Sequence, residues 1–145
     1  MVGQPPEAGQ RIVPMLAYAD APAALEFLCQ AFGFEVRFRM DMPDGTVGHA
    51  EVGYGDDVIM LASAWREGGM ASPRELPGVH SQVYCRVDDV DAHWARARAG
   101  GATILGEPED QPYGERTYRA LDPEGHRWIF ATPTKTAVKH AKPGE

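Results

Sequence analysis

The sequence predicts an α+β fold of two tandem β-α-β-β-β modules, each a curled mixed sheet with one helix, which together form a shared cleft. Segments 20–33 and 88–101 both begin with Asp, end with Gly and carry apolar residues at helical spacing. Apolar runs at 59–63 and 128–132 lie 69 residues apart, and each follows a glycine-containing turn. Self-similarity at one fixed offset indicates an internal duplication.

Five segments follow from composition along the chain. We expect a flexible arm at 1–10, a first module at 11–63, a linker or cleft-covering loop at 64–79, a second module at 80–132, and a disordered tail at 133–145.

The first module begins with a short apolar strand at 12–19. Asp20 is a plausible N-cap, and Gly33 is the expected helix end. The residues at 34–42 alternate between apolar and charged, which predicts a half-buried strand with its apolar side chains on one face. Those apolar residues are Phe34, Val36, Phe38, Met40 and Met42. Two further strands are expected at 46–53 and 58–63.

The second module repeats this order. A strand at 80–87 leads to a helix capped by Asp88 or Asp89 and ended by Gly100-Gly101, and a strand at 103–107 follows. The last two strands, 115–121 and 126–132, form a hairpin around Asp122-Pro123-Glu124-Gly125, where Pro presets φ and Gly accepts positive φ.

Composition excludes several classes of function. The 145 residues include 14 Lys+Arg against 21 Asp+Glu, a formal charge of −7. An acidic chain argues against a nucleic-acid partner and favours a cationic ligand. Cys29 and Cys85 are expected to be reduced, half-buried thiols. The sequence shows neither a signal peptide nor a membrane span, so we expect a cytoplasmic protein that does not bind membranes.

The duplicated plan resembles the vicinal oxygen chelate superfamily, which includes glyoxalase I, extradiol dioxygenases and bleomycin-resistance proteins. Tyr113-Gly114-Glu115-Arg116 with Asp122-Pro123-Glu124-Gly125-His126-Arg127-Trp128 is most similar to its bleomycin-resistance and PhnB-like branches. The resemblance covers about residues 11–132 and implies a cleft between paired modules, within one chain or across a dimer.

The resemblance also implies where metal-using members place their ligands, on the first and last strand of each module. These positions are Val13, Met60, Gln82 and Ile129, and only Gln82 has an oxygen donor. We therefore expect neither a metal nor another cofactor.

His49 and Glu51 are weak candidates for catalysis, because a His beside a carboxylate on one strand face is able to act as an oriented general base. An exposed cross-strand pair is the alternative. At the offset of 69, His49 matches Tyr118. Arg116, on the same strand as Tyr118, is suited to clamp a carboxylate or phosphate, and a surface position is the alternative. His93 and His140 are expected at the surface.

The preferred function is a metal-free binder of a small cationic or aromatic molecule, of the sequestration or resistance type, that acts as a homodimer. Its expected ligand-binding residues are Met15, Met60, Trp65, Gln82, Tyr84, Arg116 and Ile129. The alternative is a glyoxalase- or dioxygenase-like lyase, isomerase or oxygenase with atypical metal ligands or acid/base chemistry through His49. A third class is a module with a mainly structural, assembly role.

Overall fold

The computed structural model describes residues 10–134, so most of the predicted arm and tail, including His140, lie outside the described residues. In chain order the elements are β1 (Met15–Tyr18), α1 (Ala21–Phe32), β2 (Glu35–Asp41), β3 (Val47–Tyr54), β4 (Asp57–Ser63), β5 (Gln82–Arg86), α2 (Val90–Ala99), β6 (Thr103–Ile104), β7 (Glu109–Asp110), β8 (Glu115–Leu121) and β9 (Arg127–Pro133). Two single-turn 3-10 helices lie between β4 and β5. The predicted α+β fold of two β-α-β-β-β modules is confirmed.

The two modules form separate mixed sheets with matching topology. The first sheet has the order β1-β4-β3-β2, and the second has the order β5-β9-β8-β6 with β7 also pairing β8. In each sheet the first strand runs parallel to the last. Met15 lies opposite Met60, and Tyr84 lies opposite Ile129, so both pairs repeat at an offset of 69. The register of these strands therefore confirms the duplication.

Both helices begin where the sequence predicts. The Asp20 carboxylate accepts a hydrogen bond from the Ala23 amide at 3.1 Å, and the Asp89 carboxylate accepts one from Ala92 at 3.1 Å. These bonds satisfy amides that have no partner within the first helical turn. Asp89, rather than Asp88, is thus the cap of α2. Gly33 ends α1 with φ 82°, a conformation that favours glycine.

One hydrophobic core includes both modules. The two helices pack against each other, and each also packs against strands of its own module. Phe32 of α1 crosses between modules, since its ring lies 5.3 Å from Trp128 and 4.8 Å from Phe130 of β9. The helix-covered faces of both sheets thus meet in this core, and the other face of each sheet points away from it.

Polar contacts also join the modules. The turn between β8 and β9 reaches the start of α1, where Asp122 accepts a hydrogen bond from the Tyr18 hydroxyl at 2.6 Å. Glu124 accepts hydrogen bonds from the amides of Ala19 at 2.6 Å and Asp20 at 2.8 Å. The predicted turn residues therefore serve as an anchor between modules as well as a chain reversal.

The prediction that the apolar residues of 34–42 share one face is wrong. Val36 lies opposite Val52, but Phe38 lies opposite Glu51, because a register shift falls between Val36 and Phe38. Such a bulge moves the following side chains to the other face of the strand.

The predicted match of His49 with Tyr118 is also wrong by one residue. Glu51 lies opposite Met60, whereas the residue opposite Ile129 is Arg119. The offset between β3 and β8 is therefore 68.

Neither α1 nor α2 has the length and hydrophobicity that a membrane crossing needs.

Candidate functional site

We call the sheet surface that points away from the helices the outer face. On the first module Ala50 and Val52 point into the core, so the alternating pleat places Glu51 on the outer face. Across the sheet, Phe38, Glu51, Met60 and Met15 then form one row in register. Met15 is 60% exposed, so this row is open at the β1 edge.

His49 and Glu51 are adjacent on this outer face, as predicted. The His49 Nε2 lies 3.0 Å from Glu51 Oε2, and the Phe38 ring lies 5.9 Å from the imidazole. Glu51 is only 6% exposed, whereas His49 is half-buried. When Nε2 donates to the carboxylate, Nδ1 is left with the lone pair that accepts a proton, and Glu51 fixes the orientation of the ring. The pair therefore has the chemistry of an oriented general base.

On the second module the corresponding row is Tyr84, Ile129 and Arg119. Trp128 and Phe130 point into the core, so Ile129 between them belongs to the outer face. Tyr84 is 40% exposed. Five of the predicted ligand-binding residues, Met15, Met60, Gln82, Tyr84 and Ile129, thus lie on outer faces.

Glu115 is the buried acid of the second outer face. Its carboxylate accepts a hydrogen bond from the Tyr84 hydroxyl. It also forms an ion pair with Arg86, whose Nε lies 2.7 Å from Glu115 Oε2. Burial, followed by the bond to Glu115, raises the pKa of Tyr84. Tyr84 is therefore a neutral hydrogen-bonding group at physiological pH, and its ring orientation is held by Glu115.

Arg116 lies away from the outer face. Its guanidinium forms ion pairs with Asp91 of α2 at 3.0 Å and Asp110 of β7 at 3.1 Å. The neighbouring residue Thr117 shares the outer face with Arg119, because side chains alternate along β8. Arg116 therefore contributes to packing of α2 and β7 on β8, and the residue on this strand that faces outward with a cationic side chain is Arg119.

Trp65 lies in the segment between β4 and β5. It is largely exposed, its backbone pairs with Met70, and its ring lies close to Gly68 of the same loop. Its role in ligand binding stays a prediction.

The same segment borders the second outer face. A cavity of about 650 Å³ lies between residues 78–81 of this segment and Gln82, Leu121 and Arg127 of the sheet. Gln82 Oε1 accepts a hydrogen bond from Arg127 Nε at 3.1 Å within this wall. The segment therefore borders one end of the second outer face, and its role as a linker or a cleft-covering loop stays a prediction.

The positions that metal-using relatives employ do not fit a divalent metal. Val13 and Ile129 have no donor atom, and Met60 offers only a soft thioether. The one oxygen donor, that of Gln82, accepts a hydrogen bond from Arg127. Within residues 10–134, no three His, Cys, Asp or Glu side chains group closely enough to hold a metal ion.

His93 is buried between the modules, so its predicted surface position is wrong. Its Nε2 donates to the Phe32 carbonyl at 2.8 Å, and its Nδ1 lies 2.6 Å from the Tyr118 hydroxyl. Neither the outward position of Arg119 nor the burial of His93 was predicted. The first depends on strand register, and the second depends on the packing of one helix against the other. Counted between matched positions, the hairpin between β8 and β9 is one residue longer than the hairpin between β3 and β4, and this difference is the signal in the sequence for Arg119.

Comparisons with known proteins agree on one family. A model of the "Glyoxalase/Bleomycin resistance protein/Dioxygenase superfamily" matches residues 11–130. The uncharacterized protein Rv0887c of Mycobacterium tuberculosis is 33% identical over 125 residues, which cover 84% of this chain and 74% of that protein. A lactoylglutathione lyase of Neisseria meningitidis is 25% identical over 121 residues, or 80% of this chain and 85% of that one.

Solved structures show the same similarity. The crystal structure of TioX from Micromonospora sp. ML1 superposes with a TM-score of 0.68 at 35% sequence identity, covering 86% of this chain and 99% of that chain.

Proposed function

Because the chain belongs to the Glyoxalase/Bleomycin resistance protein/Dioxygenase superfamily, we propose that it binds and sequesters a small aromatic molecule on the outer faces of its sheets, without a metal at the family's ligand positions. The observation that carries this proposal is the composition of the outer faces. Met15, Met60 and Tyr84 present an apolar and aromatic surface, with Ile129 buried beside Tyr84, and Met15 and Tyr84 are open to solvent. The cytoplasmic location and the lack of nucleic-acid partners stay predictions.

Apolar surface supplies the affinity in this proposal. Burial of apolar area contributes about 25 cal/mol per Å², and methionine adapts its shape to flat rings. The few polar groups among these side chains, such as the Gln82 amide and the Tyr84 hydroxyl, then select orientation, as in most small-molecule sites.

The charge of the ligand depends on local rather than total charge. The predicted preference for cations rests on the net charge of −7. Screening limits the influence of distant surface charges to about 8–10 Å in physiological salt. On the second outer face, Arg86, Arg119 and Arg127 outnumber the single buried acid Glu115. The net charge of the chain therefore does not predict the charge of a ligand at this face.

Two copies of the chain complete the proposed cleft. Within residues 10–134, β1 and β5 each pair with a neighbour on one side only, and Met15 and Tyr84 on the two outer faces are exposed. A two-fold dimer that places the first outer face of one chain against the second outer face of its partner covers both and creates two equivalent clefts.

The oligomeric state tests this arrangement. Light scattering at micromolar concentration should give twice the mass of the chain, and Met15→Glu should shift the equilibrium towards monomer, because it buries a charge in the interface. Met42→Glu, also at an exposed methionine but outside the row, is the control. A wild-type protein that is purely monomeric contradicts the dimer.

Ligand binding is tested by thermal shift. The panel contains aromatic cations, neutral aromatics, catechols, 2-oxo acids and glutathione adducts. A bound compound at about 100 times its Kd stabilises the fold by about 2.7 kcal/mol, which raises the Tm by several degrees. Met60→Glu should remove the shift, whereas Met42→Glu should retain it. A shift that is equal in wild type and Met60→Glu contradicts binding at this face.

The His49–Glu51 pair favours a second candidate function, proton transfer in a lyase or isomerase reaction. His49 Nδ1 would take the proton from a hydroxyl-bearing carbon next to a carbonyl, and the electron pair would move to the carbonyl oxygen to form an enediolate. The imidazolium would return the proton to the former carbonyl carbon, while the hydroxyl on the first carbon becomes the new carbonyl and its proton passes to the alkoxide oxygen. The relative named lactoylglutathione lyase makes glutathione adducts the first substrates to try.

Deuterium incorporation tests this candidate. Glutathione adducts and 2-oxo acids are incubated with the protein in D₂O, and NMR follows exchange at the carbon next to the carbonyl. His49→Ala should abolish exchange and Glu51→Gln should slow it about 10²-fold. The exposed His80→Ala should match wild type. No exchange with any of these compounds rejects the candidate for this substrate class.

A further inference from the structure

Three arginines, Arg86, Arg119 and Arg127, project from the second outer face, and their partners differ. Arg86 is neutralised by Glu115. Arg127 donates to the uncharged amide of Gln82. Arg119 is exposed, and its guanidinium forms no hydrogen bond, ion pair or ring contact with any described residue, whereas its backbone carbonyl accepts a hydrogen bond from the Leu105 amide. Two of the three cations on this face therefore lack a carboxylate partner among the described residues.

The position of Arg119 adds to its chemistry. Arg119 lies opposite Ile129 and Leu121 lies opposite Arg127, so the two arginines are diagonal neighbours on adjacent strands. Diagonal positions are about 7–8 Å apart, within reach of long side chains. Tyr84 lies on the far side of Ile129 in the same row. An apolar and aromatic surface therefore lies directly beside two cationic groups.

This arrangement is the reverse of the first module. The residue that matches Arg119 in register is Glu51, which is buried and paired with His49. The duplication has thus placed a carboxylate on one outer face and an unneutralised guanidinium at the matching point of the other. The two outer faces therefore differ in chemistry: the first has a buried acid paired with a histidine, and the second has an exposed guanidinium.

We propose that Arg119, supported by Arg127, is an anion-binding site, and that the ligand of the second outer face carries a carboxylate or a phosphate-like group on an apolar or aromatic body. The guanidinium fork binds two oxygens of such a group at once, and these charge-assisted bonds are stronger than neutral ones. The anion also relieves repulsion between the two arginines. This proposal deepens the proposed function and rests on ligand binding at the outer face.

The experiment compares probes of one shape and different charge. Benzoate, phenylphosphonate and the uncharged benzamide are titrated into the full-length protein, with the methionine methyl groups observed by NMR, and Kd values are measured at low and moderate salt. Arg119→Gln is the test variant. Arg116→Gln is the matched control, since it removes the same charge from the same strand on the helix-covered side.

We expect both anions to bind more tightly than benzamide, and salt to weaken the anions alone. Arg119→Gln should weaken the anions by about tenfold or more and leave benzamide unchanged, whereas Arg116→Gln should match wild type. Arg119→Lys should recover part of the affinity for phenylphosphonate, because it restores the charge without the fork.

The outcomes separate this proposal from the proposed function. One outcome is that benzamide and the anions bind with equal Kd values, and that Met60→Glu abolishes this binding whereas Arg119→Gln does not. The outer face is then a binding site, and the anion assignment is wrong. If none of the three probes binds at millimolar concentration, both proposals are rejected. Anion affinity lost equally in Arg116→Gln and Arg119→Gln also overturns the assignment, because it reflects overall charge.

Discussion

His93 shows how one buried side chain links the modules. It lies on α2, and its ring connects the Phe32 carbonyl of the first module with the Tyr118 hydroxyl of the second. A carbonyl only accepts hydrogen bonds, so Nε2 carries the proton and Nδ1 accepts from Tyr118. Burial is the main cause that lowers the pKa of His93 from its ordinary value of 6.5. The folded protein therefore holds this histidine neutral.

This pKa shift predicts a loss of stability in acid. Between the lowered folded pKa and the unfolded value of about 6.5, the unfolded chain binds the proton first. The contribution of His93 is thus fully present above pH 6.5 and is lost as the pH falls through the folded pKa. Urea unfolding from neutral to acidic pH should show a shallower pH dependence for His93→Gln than for wild type. The exposed His80→Gln should retain the wild-type dependence, and equal slopes in all three proteins would contradict the assignment.

Glu124 is the corresponding anchor outside the helices. Its two carboxylate oxygens accept the amide protons of Ala19 and Asp20, and the Ser72 hydroxyl donates to it as well. Glu124→Gln replaces one acceptor with an NH₂ group that faces a donor. We expect this change to lower the free energy of unfolding by about 1–3 kcal/mol. The exposed Glu107→Gln should have little effect in the same urea titration, and an equally small effect of Glu124→Gln would argue against the anchor.

At the scale of elements, the contact between the two helices depends on small residues. Gly100 follows α2 and lies against Ala31 of α1, so a Cβ at position 100 would come within 2.6 Å of the Ala31 Cβ and 2.7 Å of its Cα. Because the Ala31 backbone cannot move aside cheaply, the helices would have to separate. Close approach of the helices is what lets the helix-covered faces of both sheets form one core.

Gly100→Ala tests this contact. Overpacking at a well-packed contact costs about 1–3 kcal/mol, and we expect a loss of that size in thermal or urea unfolding. Gly106→Ala is the matched control, since a Cβ at Gly106 has no atom within 4 Å. A stable Gly100→Ala protein, equal to Gly106→Ala, would show that the helices adjust freely.

At the scale of the whole molecule, the shared core makes the two modules one folding unit. Trp128 of the second module is fully buried and packs against Phe32 and Phe34 of the first. Phe32, Phe34, Trp128 and Phe130 are therefore buried in part by contacts between the modules. The duplication therefore produced one cooperative structure with two outer faces, which diverged in charge.

We accordingly predict a single unfolding transition. Tryptophan fluorescence reports on packing around Trp128 together with the more exposed Trp65 and Trp94, and far-UV circular dichroism reports on both modules. The two signals should therefore change together in urea. The same coincidence is expected for Gly100→Ala at a lower urea concentration. Separate transitions would mean that the modules fold independently.

The sequence by itself determined the repeat, the helix caps and the turns. Asp20 and Asp89 accept from amides three positions ahead, and Gly33 donates to the Leu28 carbonyl five positions back. Local chemistry was therefore sufficient to predict Asp20 and Gly33 and to narrow the cap of α2 to Asp88 or Asp89. The placement of Met60 and Ile129 as equivalents also followed from spacing, because the strands that bear them have the same length and register. The two-module fold was predictable for these reasons.

Only the tertiary structure decided which side chains reach the candidate site. Side chains alternate between faces, so a shift of one residue on β8 turned Tyr118 into the core and placed Arg119, instead of Arg116, on the outer face. Likewise, His93 lies on a polar-looking helix whose neighbour, α1, cannot be inferred from its own sequence. Register and packing partners depend on long-range contacts, and these determine burial and charge at the outer faces.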